Sequence, residues 1–196
     1  MENINLIILI FVCYILGSIP FGLLFSKIFG YGDIRKIGSG NIGTTNVLRT
    51  GNKKLALAVL FFDFCKSLLP TLLIIYLYDL NLAILCGIFS IIGHIYPIWI
   101  KFKGGKGIAS LFGYLLAVNQ VFFLICAGIW IFIAIASKYS SLASIISVVT
   151  MVFLFFIYED NTNIVIPLSI AVIIIFKHKE NIKKLINKKE NKIKIL

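Results

Sequence analysis

A polar stretch at Gly38–Arg49 brings together the residue types that bind phosphate groups. It reads Gly-Ser-Gly-Asn-Ile-Gly-Thr-Thr-Asn-Val-Leu-Arg, in a chain that is 60% hydrophobic. Glycine lets backbone N–H groups approach an anion closely, and hydroxyl and guanidinium groups beside them add further donors. Glycine-rich loops are also plain turns, with Asn and Thr as helix caps. Because a turn does not need Ser, Asn, Thr and Arg together, the pattern favours a phosphate site.

A second glycine-rich segment, Gly104–Gly107, contains Lys106. Glycines ahead of a helix expose unpaired N–H groups at the positive end of the helix dipole, which suits an anion. The segment does not match the nucleotide-binding P-loop, because that pattern requires glycine where Ile100 stands. Basic residues at the end of a membrane span are also common anchors, so this segment alone is a weak indication.

His178 and Asn181 lie in the basic stretch Lys177–Leu185. Their spacing places them on one face of a helix. Ile182 and Leu185 fall near that face, where they would dock the helix on the rest of the protein. Two interpretations stay open: a pair that contacts a substrate, or ordinary polar residues at a membrane exit.

Other polar residues lie inside or beside apolar runs. Asp63 and Lys66 are about one helical turn apart, and charges within a membrane are costly and usually paired or functional. A structural ion pair is the favoured interpretation. His94 is either a satisfied histidine at a helix end or a support for nearby chemistry. Ser141 either caps a helix or contacts a phosphate.

The chain lacks the sequence patterns of several metal-dependent and covalent enzymes. It has no Asp-x-x-Asp pair to hold Mg²⁺ on a pyrophosphate, which argues against CDP-alcohol phosphotransferases and prenyl-diphosphate enzymes. It has no Gly-x-Ser-x-Gly nucleophile elbow. The set of Arg, Lys, Gly, Ser, His and Asn predicts chemistry on phosphorylated substrates without a metal or other cofactor.

These motifs need a scaffold of membrane helices to position them. The mean hydropathy is +1.01 and the net charge is +11, values typical of an integral membrane protein. A transmembrane helix needs about 20 residues, and the first three apolar runs are long enough. Joining the two central runs across Asn119 and Gln120 would give six spans instead of seven. The apolar runs lie near residues 4–26, 54–79, 81–100, 108–118, 120–136, 142–157 and 163–176.

The distribution of charge favours seven spans. With seven spans and the N-terminus outside, every Lys and Arg except Lys66 lies on one side. The acidic residues on the other side are Glu2, Asp79, Glu159 and Asp160. Six spans would separate the tail lysines from the motif loops, against the positive-inside rule. We therefore predict an all-α integral membrane protein, a compact bundle of seven transmembrane helices with a cytoplasmic C-terminus and one domain over residues 1–196.

The basic tail from Lys177 to Lys194 is predicted to lie beside anionic lipid, where each lysine near the surface contributes about 1 kcal/mol. Nucleic acid is not an expected partner, because the basic residues are not interleaved with aromatic ones in a binding fold. The four cysteines lie in apolar runs and are predicted to pack as small hydrophobic residues.

Taken in order, the motifs resemble those of the bacterial acyl-phosphate:glycerol-3-phosphate acyltransferases, the PlsY family of membrane enzymes. The similarity covers essentially the whole chain. Ile42 and Thr44 replace the Pro and Ala that are frequent in the family, and the glycine of a C-terminal Gly-x-Glu pattern is missing before Glu190. The shared segments are 17–22, 38–46 with Arg49, Asp63 with Lys66, 93–94, 102–109, 141–144, and His178 with Asn181.

The resemblance implies that a fatty acyl group moves from acyl phosphate to the sn-1 hydroxyl of glycerol 3-phosphate, at the bacterial plasma membrane. It implies as partners the two substrates, the lipid bilayer and the soluble enzyme that makes acyl phosphate. The implied catalytic residues are Ser39, Arg49, Lys106, His178 and Asn181. The implied substrate-binding residues are Gly38, Gly40, Asn41, Thr45, Asn46, Gly104, Gly105, Gly107 and Ser141.

Direct acyl transfer is the favoured mechanism, with Arg49 and Lys106 on the glycerol phosphate group. Ser39, Thr45 and the loop amides would orient the substrates and stabilise oxyanion charge. His178 is one candidate for the base, and a phosphate oxygen of a substrate is the other. A transporter of a phosphorylated metabolite is the alternative function; against it, the phosphate-type residues all lie on one predicted side.

Overall fold

The computed structural model describes residues 2–158 and 164–193, with side chains from residue 6 onward, and these ranges are helical throughout apart from their connecting loops. Glu159 and Asp160, and the side chain of Glu2, lie outside this description. The helices are α1 Glu2–Gly17, α2 Phe21–Ile28, α3 Thr44–Val47, α4 Lys53–Leu77, α5 Leu80–Ile95, α6 Ile108–Val118, α7 Gln120–Ser137, α8 Ser140–Tyr158, α9 Val165–Lys177 and α10 Lys179–Ile186.

Four helical segments are long and apolar enough to cross a membrane: 53–77, 80–100, 120–137 and 140–158. The pair α1 and α2 passes the same test as a broken span, bent by 40°. Two shorter apolar helices, α6 and α9, match the two remaining apolar runs of the sequence. The all-helical prediction is confirmed in the described ranges, and at least four helices have the length and apolar composition of membrane spans.

The break between α1 and α2 follows from its residues. Helix α1 ends at Gly17, and Pro20 precedes α2. Proline has no N–H to donate, so it cannot continue the hydrogen-bond ladder of α1. The apolar run 4–26 therefore forms two helices instead of one straight span.

A second break separates α6 from α7. Helix α6 ends at Val118, and Asn119 adopts an extended conformation and caps α7 by accepting a hydrogen bond from the N–H of Phe122 at 3.0 Å. Asn is a favoured N-cap because its short side chain satisfies an otherwise unpaired helical donor. The residues 108–136 are therefore two helices, as the seven-run interpretation expects.

The chain divides into two compact units, Met1–Val118 and Asn119–Leu196, and the single domain over 1–196 stays a prediction. In the first unit, α4 packs against α1, α2, α5 and α6. Glycines permit close approach of these helices, because a Cβ at Gly17 would overlap the backbone of Ser90 and one at Gly113 would overlap that of Phe64.

In the second unit, α8 packs against α7, α9 and α10. Hydrogen bonds link α8 to α7: Ser147 Oγ donates to the carbonyl of Cys126 at 2.8 Å, and Trp130 Nε1 donates to Ser144 Oγ at 3.0 Å. Such bonds matter within apolar surroundings, where an unsatisfied polar group is costly. Helix α10 begins immediately after His178, which closes α9.

Candidate active site

The polar loop Gly38–Arg49 rests on an apolar core in the first unit. Ile42 and Val47, inside the loop, are fully buried together with Ile34 just before it. Gly22 of α2 supports the loop at close range, since a Cβ there would overlap the carbonyl of Ile42. The core also contains Leu23, Leu55, Ala56 and Val59, and Ile100 packs against it. The buried apolar residues thus fix the position of the polar groups of the loop.

Asn46 is the central hydrogen-bonding residue of the loop, and its side chain is buried. Its Nδ2 donates to the carbonyls of Ile34 at 2.9 Å, Ile37 at 3.1 Å and Asn41 at 2.8 Å. Its Oδ1 accepts from the N–H of Ser39 at 2.9 Å. Since a buried amide must satisfy both its donors and its acceptor, Asn46 fixes the path of the surrounding chain.

Ser39 and Arg49 converge on Asn46 from opposite ends of the loop. Ser39 Oγ donates to Asn46 Oδ1 at 3.2 Å, and Arg49 Nη1 donates to the same oxygen at 3.3 Å. Both side chains are nevertheless exposed. The loop therefore presents a hydroxyl and a guanidinium side by side to an incoming group.

The glycines make this convergence possible. Gly38 has φ of +57°, and a Cβ there would overlap both Asn46 Oδ1 and the Arg49 side chain. Gly40 also has a positive φ, +71°. Only glycine takes up the left-handed conformation without steric cost. Asn41 completes the turn by accepting a hydrogen bond from the N–H of Gly43 at 3.2 Å, and Thr45 is half-buried in α3.

An ion pair precedes the loop. Arg35 donates to both carboxylate oxygens of Asp33, with Nη2 at 2.6 Å from Oδ2 and Nε at 2.9 Å from Oδ1. These hydrogen bonds hold the pKa of Asp33 well below its usual range. Among the described residues, Arg35 is thus paired with a carboxylate and Arg49 is not.

Segment Gly104–Gly107 differs from the sequence expectation in its backbone. The N–H groups of Gly104 and Gly105 donate to the carbonyls of Ile95 at 3.2 Å and His94 at 3.0 Å, so these two amides satisfy the C-terminal end of α5. The prediction of unpaired amides is wrong for these two glycines, because the chain turns back onto the helix it has just left. Lys106, between Gly105 and Gly107, is half-buried. Gly107 has φ of +93° and leads into α6.

A buried charged cluster lies beneath this segment. Lys66 Nζ is 2.7 Å from Asp63 Oδ1 and also donates to the carbonyl of Ile19 at 2.9 Å. The ion pair expected from the sequence is therefore present. His94 Nδ1 lies 3.5 Å from the same Asp63 oxygen, and Ser110 Oγ donates to the Asp63 carbonyl at 3.0 Å.

In the second unit, His178 is buried at the junction of α9 and α10, and its Nδ1 lies 2.9 Å from the carbonyl of Ile174. A carbonyl oxygen only accepts, so Nδ1 carries the hydrogen of this bond. In the neutral imidazole, Nε2 is then the nitrogen that can take a proton. The fold thus assigns the basic atom of this histidine.

Asn181 and Ser141 share a carboxylate that the site prediction omitted. Glu190 Oε1 accepts from Asn181 Nδ2 at 2.7 Å and from Ser141 Oγ at 2.9 Å. Glu190 comes from the segment after α10, and hydrogen bonds to a charged group are strong. The signal in the sequence was Glu190 itself, one of two acidic residues within the lysine-rich tail.

Comparisons with known proteins agree on one family. The family model for glycerol-3-phosphate acyltransferase matches residues 7–188. A glycerol-3-phosphate acyltransferase of Ehrlichia chaffeensis is 43% identical over 194 residues, covering 98% of each chain. One of Brucella anthropi is 46% identical over 180 residues, covering 92% of this chain and 89% of the relative.

Solved structures are similar over almost the full length. The crystal structure of PlsY, an integral membrane glycerol 3-phosphate acyltransferase, in its glycerol 3-phosphate form has a TM-score of 0.91 and 35% identity, covering 97% of this chain and 96% of that one. The lysophosphatidic acid form has a TM-score of 0.87 and 34% identity, covering 96% and 95%. The chain belongs to the glycerol-3-phosphate acyltransferase family.

Proposed function

We propose that this protein transfers a fatty acyl group from acyl phosphate to the sn-1 hydroxyl of glycerol 3-phosphate. The observation that carries the proposal is the pairing of Ser39 and Arg49 on Asn46, in a chain similar to a PlsY structure in the glycerol 3-phosphate form. The lysophosphatidic acid form of that neighbour supports a lysophosphatidic acid product.

In the proposed reaction, the sn-1 oxygen attacks the carbonyl carbon of acyl phosphate. A new ester bond forms, the bond between the acyl carbon and the phosphate oxygen breaks, and inorganic phosphate leaves. The hydroxyl proton passes either to His178 Nε2 or to a phosphate oxygen. The two phosphates need cations and donors, which the loops supply without a metal or other cofactor.

Arg49 and Lys106 are proposed to bind the phosphate of glycerol 3-phosphate. An arginine binds phosphate through paired hydrogen bonds, and a lysine adds a point charge. The Ser39 hydroxyl and Thr45 are proposed to orient the acyl phosphate and stabilise negative charge on its carbonyl oxygen. Gly38 and Gly40 are proposed to shape the turn that holds them, because the N–H groups of Ser39 and Gly40 already donate to Asn46 Oδ1 at 2.9 Å and to the Ile37 carbonyl at 3.0 Å. Gly107 is proposed to shape the approach to Lys106.

Several predicted substrate-binding residues are better assigned to positioning. The Asn46 side chain bonds to loop groups through both its nitrogen and its oxygen, and Asn41 holds the turn at Gly43. The amides of Gly104 and Gly105 bond to α5. We therefore propose that these four residues hold Ser39, Arg49 and Lys106 in place.

In the second unit, His178 and Asn181 are proposed to position the glycerol group. The Ile174 carbonyl fixes the imidazole ring, and Glu190 fixes the Asn181 amide while also holding Ser141. Support of this kind keeps a contacting side chain in one rotamer, which is what efficient transfer of a group requires.

The protein is proposed to span the bacterial plasma membrane seven times, with its N-terminus outside and its C-terminus in the cytoplasm. The bent pair α1–α2, four long helices and the shorter α6 and α9 supply seven apolar segments. Short helices are accommodated by local thinning of the bilayer. The placement of lysine and arginine supports this orientation.

Purified protein in detergent, supplied with palmitoyl phosphate and glycerol 3-phosphate, tests the proposal. We expect lysophosphatidic acid from the wild type, loss of the product in Arg49→Ala and Lys106→Ala, and retention in the control Arg35→Ala. No product from well-folded wild type, together with uptake of glycerol 3-phosphate into proteoliposomes, would overturn the enzyme proposal in favour of transport.

A further inference from the structure

The buried cluster of Asp63, Lys66 and His94 lies next to a residue of the proposed site. His94 is in contact with Gly105 in two ways: its carbonyl accepts the Gly105 N–H at 3.0 Å, and its ring lies where a Gly105 Cβ would be. Gly105 directly precedes Lys106. The imidazole therefore packs directly against the backbone of the residue that precedes Lys106.

The ring of His94 also lies close to a charged group. Asp63 Oδ1 lies 3.5 Å from Nδ1, and all three members of the cluster are buried. A buried ion pair costs several kcal/mol of desolvation per ion, which its mutual attraction offsets only with good additional bonds. The Ile19 carbonyl supplies one to Lys66, and Ser110 fixes the Asp63 backbone.

Stability alone is a poor reason for such a pair, because well-packed apolar residues of similar volume stabilise a core as well or better. The cluster joins four elements: the break after α1, α4, α5 and the start of α6. The Gly104–Gly107 segment lies in the connection between α5 and α6. The charges thus lie where they can fix that segment relative to α4.

We propose that Asp63 and His94 are positioning residues for Lys106. Asp63 fixes the orientation of the His94 imidazole, and the imidazole packs against Gly105 and fixes the position of its backbone. That backbone in turn orients Lys106 towards the phosphate of glycerol 3-phosphate. This inference rests on the proposed function, in which Lys106 binds that phosphate.

Direct binding of glycerol 3-phosphate to purified protein, measured by calorimetry in detergent, provides the test. We expect His94→Gln and Gly105→Ala to weaken binding at least 10-fold. Both act through one contact, so the double variant should be no worse than the weaker-binding single variant. In a Lys106→Met background, His94→Gln should have almost no further effect.

The matched control is Thr71→Val, a buried polar position of α4 whose hydroxyl donates to the carbonyl of Ser67 in its own helix; it should bind like the wild type. Asp63→Asn should likewise weaken binding at least 10-fold. If it does not fold, the apolar pair Asp63→Leu with Lys66→Met removes both charges. That pair should keep the melting temperature within a few degrees and still bind glycerol 3-phosphate at least 10-fold more weakly.

Two failures are distinguishable. Wild type that binds no glycerol 3-phosphate would overturn the proposed function. The positioning role of the cluster alone would be overturned if the wild type binds glycerol 3-phosphate and the folded variants His94→Gln and Gly105→Ala bind it equally well. It would also be overturned if their losses of affinity add to that of Lys106→Met.

Discussion

Ser39 and Arg49 donate to one and the same oxygen, Oδ1 of the buried Asn46, at 3.2 and 3.3 Å. A hydroxyl and a guanidinium from opposite ends of the loop are thereby brought side by side at the surface. Because the Asn46 nitrogen is bonded to three backbone carbonyls, the shared oxygen cannot rotate away. The pair is preorganised before any substrate arrives.

Asn46→Asp keeps the shape of the side chain but replaces its donor with an acceptor. Three carbonyls would then face a carboxylate oxygen, and lost hydrogen bonds in a buried site cost about 1–3 kcal/mol each at most. We expect a lower melting temperature and at least a 100-fold loss of kcat/KM. The control is Asn187→Asp, an exposed asparagine whose side chain donates to the nearby carbonyl of Lys183. Equal effects at both sites would contradict the role of Asn46.

Arg49→Lys retains the positive charge and removes the paired donors. A charge-assisted hydrogen bond contributes about 1.5–3 kcal/mol, so the KM for glycerol 3-phosphate should rise by about 10- to 100-fold. The KM for acyl phosphate should change much less. The matched control is Arg35→Lys, where the arginine is bound to Asp33, and its kinetics should equal those of the wild type. A rise in the acyl phosphate KM alone would contradict the assignment.

Ser39→Ala tests direct transfer against a covalent acyl-enzyme. If Ser39 only orients and donates a hydrogen bond, its loss should reduce kcat by about 10²–10³ without abolishing turnover. Wild-type protein incubated with acyl phosphate alone should show no added acyl mass in its mass spectrum. When the concentrations of both substrates are varied, the lines of a double-reciprocal plot of initial rates should intersect. Parallel lines and an acylated Ser39 would refute direct transfer.

Lys188 has a left-handed backbone, with φ of +54°, at the position where the related pattern carries glycine before Glu190. A non-glycine residue there costs about 1–3 kcal/mol, partly offset by the greater unfolded-state freedom of glycine. Lys188→Gly should therefore raise the melting temperature slightly and leave the Glu190 contacts intact. Lys189→Gly, at a neighbour without a positive φ, should be neutral or lower it.

The sequence predicted the helical class and the break at Asn119, because long apolar runs and the polar residues between them act locally. It did not predict the break at Pro20, which divides the apolar run 4–26 into two helices. It also predicted the Ser39, Asn46 and Arg49 set, since a glycine-rich loop with these donors has few other uses. It could not predict that Asn46 faces inward, which depends on the carbonyls of Ile34 and Ile37. Hydrogen-bond partners of this kind are set by tertiary packing.

The same limit explains the other differences. The Gly104 and Gly105 amides are paired because the chain folds back on α5, and nothing in the local sequence shows that return. The Asp63–His94 contact joins residues that are far apart in sequence, on the consecutive helices α4 and α5. Glu190 meets Asn181 and Ser141 only after the tail has turned at Lys188.

The central claim, acyl transfer from acyl phosphate, is tested most directly by following the two phosphorus atoms. Purified protein would be given palmitoyl phosphate labelled with ³²P and glycerol 3-phosphate labelled with ³³P. We predict that all the ³³P lost from glycerol 3-phosphate appears in lysophosphatidic acid. An equal amount of ³²P should be released from palmitoyl phosphate as inorganic phosphate. Lipid product carrying ³²P, or release of ³²P without lipid product, would contradict the account.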